Sequence, residues 1–235
     1  MSPPRGEAPP SSLLRSGSAL VFLAFLMVLA GCGRSLSEPD RSGLESTVHI
    51  RSEACPPPHE GTGATVGPEL VVTAAHTVVG AERLTVTSAK GDTFTGFPVV
   101  VDTDLDYAMV RVPGLDAEPL PLATGSRPAA ERVLLFRTGR RPEAASVEFL
   151  MPVVMATTDI YREGEVNRQA FEITFAAQPG DSGAVVLDGE GRVTGIVISV
   201  SVEEPVTFVL DVSEWAQSVG GAPDEVAPPG RCMTP

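Results

Sequence analysis

The chain has 235 residues, with 30 acidic side chains against 17 basic ones and a formal net charge of −13. That balance leaves no basic patch to neutralise phosphates and excludes a nucleic-acid partner. Glycine and proline are plentiful, at 23 and 22, while aromatics supply only 5% of the chain. With Val and Thr recurring in short runs, this composition points to many short strands joined by turns rather than a helical bundle.

Residues 1–31 read as a leader. Arg5 and Arg15 precede an uninterrupted apolar run at 19–30, too short to span a bilayer comfortably but suited to the core of a secretion signal. The run ends in Leu29-Ala30-Gly31-Cys32, which resembles a bacterial lipobox. That resemblance implies lipidation at Cys32, a mature chain starting there, and an extracytoplasmic position at the cell envelope, held to the membrane by acyl chains. An ordinary signal peptide or a membrane anchor is the alternative. Residues 32–46 are polar and contain Pro, Gly and Ser, as a flexible tether does. Cys55 and Cys232 remain, and in an exported protein a single pair reads most simply as a disulfide, with two free thiols as the alternative. Neither has partners at zinc spacing, so no metal site is expected.

Strands are expected at 47–52, at 61–66 and 69–73 as a hairpin turning at Gly67-Pro68, and at 83–88, 93–101 and 107–112. The proline-rich stretch 113–128 reads as a linker. A second series follows at 131–137, 147–158, 171–175, 184–187, 193–200 and 207–211, with Gly189-Glu190-Gly191 as a hairpin turn. A short helix is expected at 212–219, then a tail at 221–235. Two groups of about six strands around a linker predict an all-β fold of two antiparallel barrels, near 47–122 and 123–212.

Three short segments carry the chemistry. In Gln178-Pro179-Gly180-Asp181-Ser182-Gly183 the glycines permit a tight turn that presents Ser182. The N–H groups of Gly180 and Ser182 can then converge beside its hydroxyl, as an oxyanion site requires. His76 follows the small residues Thr73-Ala74-Ala75 at the end of an apolar strand, whereas His49 and His59 read as ordinary surface histidines. Asp102, Asp104 and Asp106 precede a strand; only Asp106 directly abuts its apolar edge, where a carboxylate can hold a histidine by Nδ1–H.

Thr73-Ala74-Ala75-His76, Asp106-Tyr107-Ala108-Met109-Val110 and Gly180-Asp181-Ser182-Gly183 resemble the three catalytic blocks of the trypsin/chymotrypsin-like serine proteases, in that family's His…Asp…Ser order. Gly63-Ala64-Thr65-Val66, residues 191–197 and Ser213-Glu214-Trp215-Ala216 are similar to flanking elements of bacterial HtrA-type members, so the resemblance covers roughly 47–219. It implies a catalytic triad of His76, Asp106 and Ser182, an oxyanion hole from the N–H groups of Gly180 and Ser182, a polypeptide substrate and no cofactor. A PDZ-like domain is not evident.

Asp181 departs from the pattern. Digestive members pair this aspartate with a freshly cleaved N-terminus, and HtrA-type members usually carry Asn here. Asp181 must therefore be satisfied by backbone N–H groups or by an arginine to position the oxyanion loop, the alternative being a loop that needs an activating event. The primary pocket is expected beside Phe175-Ala176-Ala177 and residues 198–201, with no acid at its base and Val200 narrowing it. Small or medium apolar side chains are the expected preference. A catalytically silent binding lipoprotein of the same fold is the competing reading.

Overall fold

The computed structural model describes residues 1–2, 38–125, 129–201 and 205–233. Cys32 and the leader's apolar run lie outside the described residues. Within the stretch read as a tether, residues Glu38–Glu45 form a helix, α1. Leu44 packs on the core, and the hydroxyl of Thr47 donates to the Gly43 carbonyl at 2.8 Å, closing the helix end.

Six strands form a closed barrel: β1 (Thr47–Ser52), β2 (His59–Gly67), β3 (Leu70–Thr73), β4 (Leu84–Ser88), β5 (Thr93–Asp102) and β6 (Tyr107–Arg111). Their spatial order is β1-β2-β3-β6-β5-β4, closed by antiparallel pairing of β1 with β4. Closure leaves no unpaired edge. A short helix, α2 (Ala75–Val78), follows β3 directly.

The second lobe is a seven-stranded sheet. It comprises β7 (Arg132–Leu135), β8 (Glu143–Ser146), β9 (Phe149–Thr158), β10 (Glu165–Ile173), β11 (Val185–Leu187), β12 (Val193–Val200) and β13 (Thr207–Asp211), in the order β8-β7-β11-β12-β13-β10-β9. The seventh strand is β8, held by its register with β7. The β9–β10 hairpin is longer than expected because Asp159 accepts from the N–H groups of Tyr161, Glu163 and Gly164 and so folds its turn. A 3₁₀ turn at Val212–Glu214 and the helix α3 (Ala216–Gly220) replace the single expected helix.

The lobes share a core. Ala64, Val72 and Met109 of the barrel pack in one buried cluster with Leu134, Leu187, Ile196 and Leu210 of the sheet and with Trp215, which is fully buried. Removing that much apolar surface from water fixes the two lobes against each other. The linker is part of the same unit: Leu120 N–H donates to the Thr65 carbonyl and Ala123 N–H to the Val193 carbonyl, at 2.8 and 2.9 Å. Cys55 and Cys232 are joined as a disulfide with a Cα–Cα distance of 5.6 Å, tying the tail to the barrel.

Candidate active site

His76 sits in α2, where the β3 strand ends and the chain turns away from the barrel wall. Asp106 ends the turn into β6 with φ of +66°, a left-handed conformation that aspartate tolerates far better than a β-branched residue would. From there its carboxylate takes the His76 backbone N–H at 3.0 Å, and His76 Nδ1 lies 3.0 and 2.9 Å from its two oxygens. A carboxylate only accepts, so Nδ1 carries a proton, and in the neutral ring Nε2 is the nitrogen with the lone pair. Asp102, upstream, is a turn former whose Oδ1 accepts from the N–H groups of Asp104 and Leu105.

Two further polar side chains brace the backbone that carries His76 and Asp106. His59, expected at the surface, is partly buried and donates Nδ1–H to the His76 carbonyl at 3.0 Å. Arg168 of β10 is buried, and its Nε donates to the Asp104 carbonyl at 2.7 Å, bracing the loop that delivers Asp106. Burial disfavours the imidazolium, but the charge of Asp106 and its hydrogen bond outweigh it, with Arg168 opposing. The pKa of His76 is therefore raised above its ordinary 6.5.

Ser182 stands on a turn whose geometry follows from its residues. Asp181 N–H donates to the Gln178 carbonyl at 3.0 Å, and Gly180, after Pro179, has φ of +96°. That is the pattern of a type II turn, with proline second and glycine third. Among the described residues no backbone acceptor takes the N–H of Gly180 or of Ser182. Gly183 has φ of +80°, and a Cβ there would come within 2.3 Å of the Thr62 carbonyl and the Thr73 hydroxyl. Only glycine fits at this seam between the lobes.

Asp181, fully buried, is satisfied by both expected kinds of partner. Arg137 Nε donates to Oδ1 at 2.7 Å, Arg137 Nη2 to Oδ2 at 2.8 Å, and Gln178 N–H to Oδ2 at 2.8 Å. Thr62 is a second anchor that sequence reasoning missed. Its N–H donates to the Ser182 carbonyl at 2.9 Å, its hydroxyl donates to the Gly180 carbonyl at 2.9 Å, and the Phe136 N–H donates to that hydroxyl at 3.1 Å. Neither residue carries a local signal, because each partner lies far away in the chain.

The structure thus joins His76 to Asp106 and sets the Ser182 turn against the first barrel. Gly61 separates the two: a Cβ on it would lie 2.8 Å from both the Ser182 carbonyl and the Thr77 side chain, next to His76. Among the described residues no hydrogen bond connects Ser182 to the imidazole, a contact that in unliganded sites often tightens only with substrate. Phe175, expected at the primary pocket, is held by its carbonyl accepting from the Thr207 hydroxyl at 2.6 Å, while Val200 is 40% exposed.

The serine protease Rv3671c of Mycobacterium tuberculosis is 33% identical to the chain over 197 residues, covering 80% of this chain and 49% of that protein. The chain therefore spans about half the length of this relative. The serine protease Do-like HtrB of Bacillus subtilis is 27% identical over 131 residues, covering 54% of this chain and 29% of that protein. Among solved structures, the active form of the Rv3671c protease superposes with a TM-score of 0.78 at 25% identity, covering 100% of both chains. Its inactive form gives 0.68 at 28% identity, covering 78% of this chain and 92% of that one. Residues 61–196, which hold His76, Asp106 and Ser182 alike, match the family model of the trypsin-like peptidase domain, and the chain belongs to that family.

Proposed function

We propose that the protein is a serine endopeptidase that cleaves polypeptides through His76, Asp106 and Ser182. The observation that carries this reading is the engaged His76–Asp106 pair beside a serine whose turn is clamped by Arg137 and Asp181. With Nδ1–H committed to Asp106, Nε2 accepts the proton of the Ser182 hydroxyl as Oγ attacks the peptide carbonyl. The carbonyl oxygen becomes an oxyanion and takes the N–H groups of Gly180 and Ser182. Nε2–H then protonates the leaving amine as the C–N bond breaks, giving an acyl-enzyme. Water attacks that ester with Nε2 again as base, and releases the acid and the free hydroxyl. Asp106 holds the imidazole tautomer throughout and faces the imidazolium as it forms.

The absence of an acid in Phe175-Ala176-Ala177 supports cleavage after small or medium apolar residues. The Leu29-Ala30-Gly31-Cys32 segment supports an envelope protein anchored by lipid on Cys32. Covalent labelling by a fluorophosphonate probe tests the catalytic reading: the wild-type protein is labelled and Ser182→Ala is not. Absence of labelling across pH leaves the silent binding lipoprotein as the reading that stands.

A further inference from the structure

Beside the Ser182 turn lies a pocket of about 720 Å³, walled by β1, β2, β4 and the turn between β7 and β8. It gathers Arg51, Lys90, Arg137, Arg140 and Arg141 with His49, and Glu60 is its single acidic lining residue. In a chain of net charge −13 with one lysine, five of the 17 basic side chains face one cavity. Their charges are not spent equally. Arg137 is engaged by Asp181 and Glu143, and Arg51 by Glu53 and Glu60. Glu60 is further occupied by the Thr138 hydroxyl. Lys90, Arg140 and Arg141 are exposed at the rim and make no ion pair among the described residues. A rim of unpaired cations against an acidic molecule concentrates positive potential at this place.

The pocket borders the reacting centre. Arg137, on its wall, reaches Asp181 one residue before Ser182, and Glu60 adjoins Gly61, which abuts the Ser182 carbonyl. It contains none of residues 175–177 or 198–201, the stretch expected to take the side chain on the acyl half of a substrate. A pocket beside the Ser182 turn yet apart from that stretch is placed to receive the half that departs as the amine. We infer that Lys90, Arg140 and Arg141 form an acceptor for acidic side chains on the leaving-group side of a polypeptide substrate. This selects among substrates by charge and deepens the peptidase reading, on which it rests. Exposed pairs of this kind are each weak, so two or three together give a preference of about five- to tenfold.

The test uses matched fluorogenic peptides that share the acyl half and carry Asp/Glu, Ala or Lys in the leaving half. Wild-type protein is expected to show kcat/KM highest for the acidic peptide, through KM, with the preference lost at about 0.5 M salt, where screening leaves only a few Å of reach. In Arg140→Ala/Arg141→Ala the acidic peptide falls to the level of the alanine peptide, while cleavage of the alanine peptide is unchanged. Arg140→Glu/Arg141→Glu turns the preference to the lysine peptide, a gain that misfolding cannot produce. Equal cleavage of acidic and alanine peptides by wild type overturns the inference. A second arm measures binding of the same labelled peptides to Ser182→Ala: tighter binding of the acidic peptide, lost in the Arg140/Arg141 variants, supports the pocket without turnover. Equal binding there overturns it. Loss of all cleavage and fluorophosphonate labelling in the wild type counts against the peptidase reading alone.

Discussion

Arg137 grips Asp181 with two parallel hydrogen bonds, 2.7 Å from Nε and 2.8 Å from Nη2, although 44 residues separate them in the chain. The fork geometry suits a carboxylate, and the Cγ of Arg137 lies 3.9 Å below the place a Gly180 Cβ would occupy. Arg137→Met leaves a fully buried carboxylate without its cation. The expected loss is about 3–5 kcal/mol of stability, read by urea denaturation, with a fall in kcat/KM. Arg137→Lys recovers little, because a point charge cannot serve both oxygens. Arg137→Met with Asp181→Asn recovers most of the stability. Equal stability of wild type and Arg137→Met would sink this account.

Gly180 tests conformation apart from space. A Cβ there meets only Arg137 Cγ within 4 Å, yet φ is +96°. Gly180→Ala therefore costs on the order of 1–2 kcal/mol from backbone strain alone. It also lowers kcat by about tenfold or more as the turn relaxes and the N–H leaves the oxyanion. Retention of full activity by the alanine variant would show that the positive φ is not needed.

Thr62→Val keeps the side-chain shape but strands the Gly180 carbonyl and the Phe136 N–H. A loss of about 2 kcal/mol is expected for unmade buried hydrogen bonds, together with a drop in kcat at nearly constant KM. Thr62→Ser, which keeps the hydroxyl, restores activity if the bond rather than the methyl group matters.

The pH profile follows from His76. In the proposed mechanism its neutral form is the base, and its pKa is raised above 6.5, so kcat/KM is expected to rise through a midpoint above that value. In Asp106→Asn the midpoint moves down, since the raising influences are gone, and kcat falls by about 10⁴ as the tautomer is lost. In Arg168→Gln the midpoint moves up, since the opposing charge is gone. The stability contribution has the opposite sense to activity. A raised folded pKa favours the folded state fully below pH 6.5, and the benefit disappears as pH climbs through the folded value. Titration of stability against pH in wild type and His76→Ala gives that difference directly.

The disulfide spans 177 residues. Cys55→Ser/Cys232→Ser is expected to lose about 4–5 kcal/mol, because the unfolded chain regains the freedom of a long closed loop. An intact-mass gain of two hydrogen atoms on reduction by an added thiol, one for each cysteine, checks the bond itself.

Much of the molecule was legible where side-chain pattern and turn residues agree. The first strand and the strands at Val193–Val200 and Thr207–Asp211 stand where the alternation of Val, Ile and Thr places them. Asp102, Asp106 and the glycines of the Ser182 turn were readable from local chemistry. Glu143–Ser146 was not, because Glu-Ala-Ala-Ser has no strand preference of its own and acquires the state by pairing with β7. The helix at Glu38–Glu45 was hidden by a proline, a glycine and a polar composition that suit a tether. Arg137, Thr62 and Arg168 were invisible for one reason: each acts on a loop brought to it by tertiary structure, across 44, 118 and 64 residues respectively. His49 and His59 were misread as surface residues because burial by a neighbouring element leaves no mark on their own segments.

Gly183 leaves the lobes no slack at the residue that follows the nucleophile. The tightest approach between the lobes therefore lies one residue from Ser182, where backbone of the first barrel meets backbone of the Ser182 turn. A single methyl group at Gly183 has to push aside the backbone of Thr62 and Ala74 and hold a positive φ, so its whole cost falls on the seam beside Ser182.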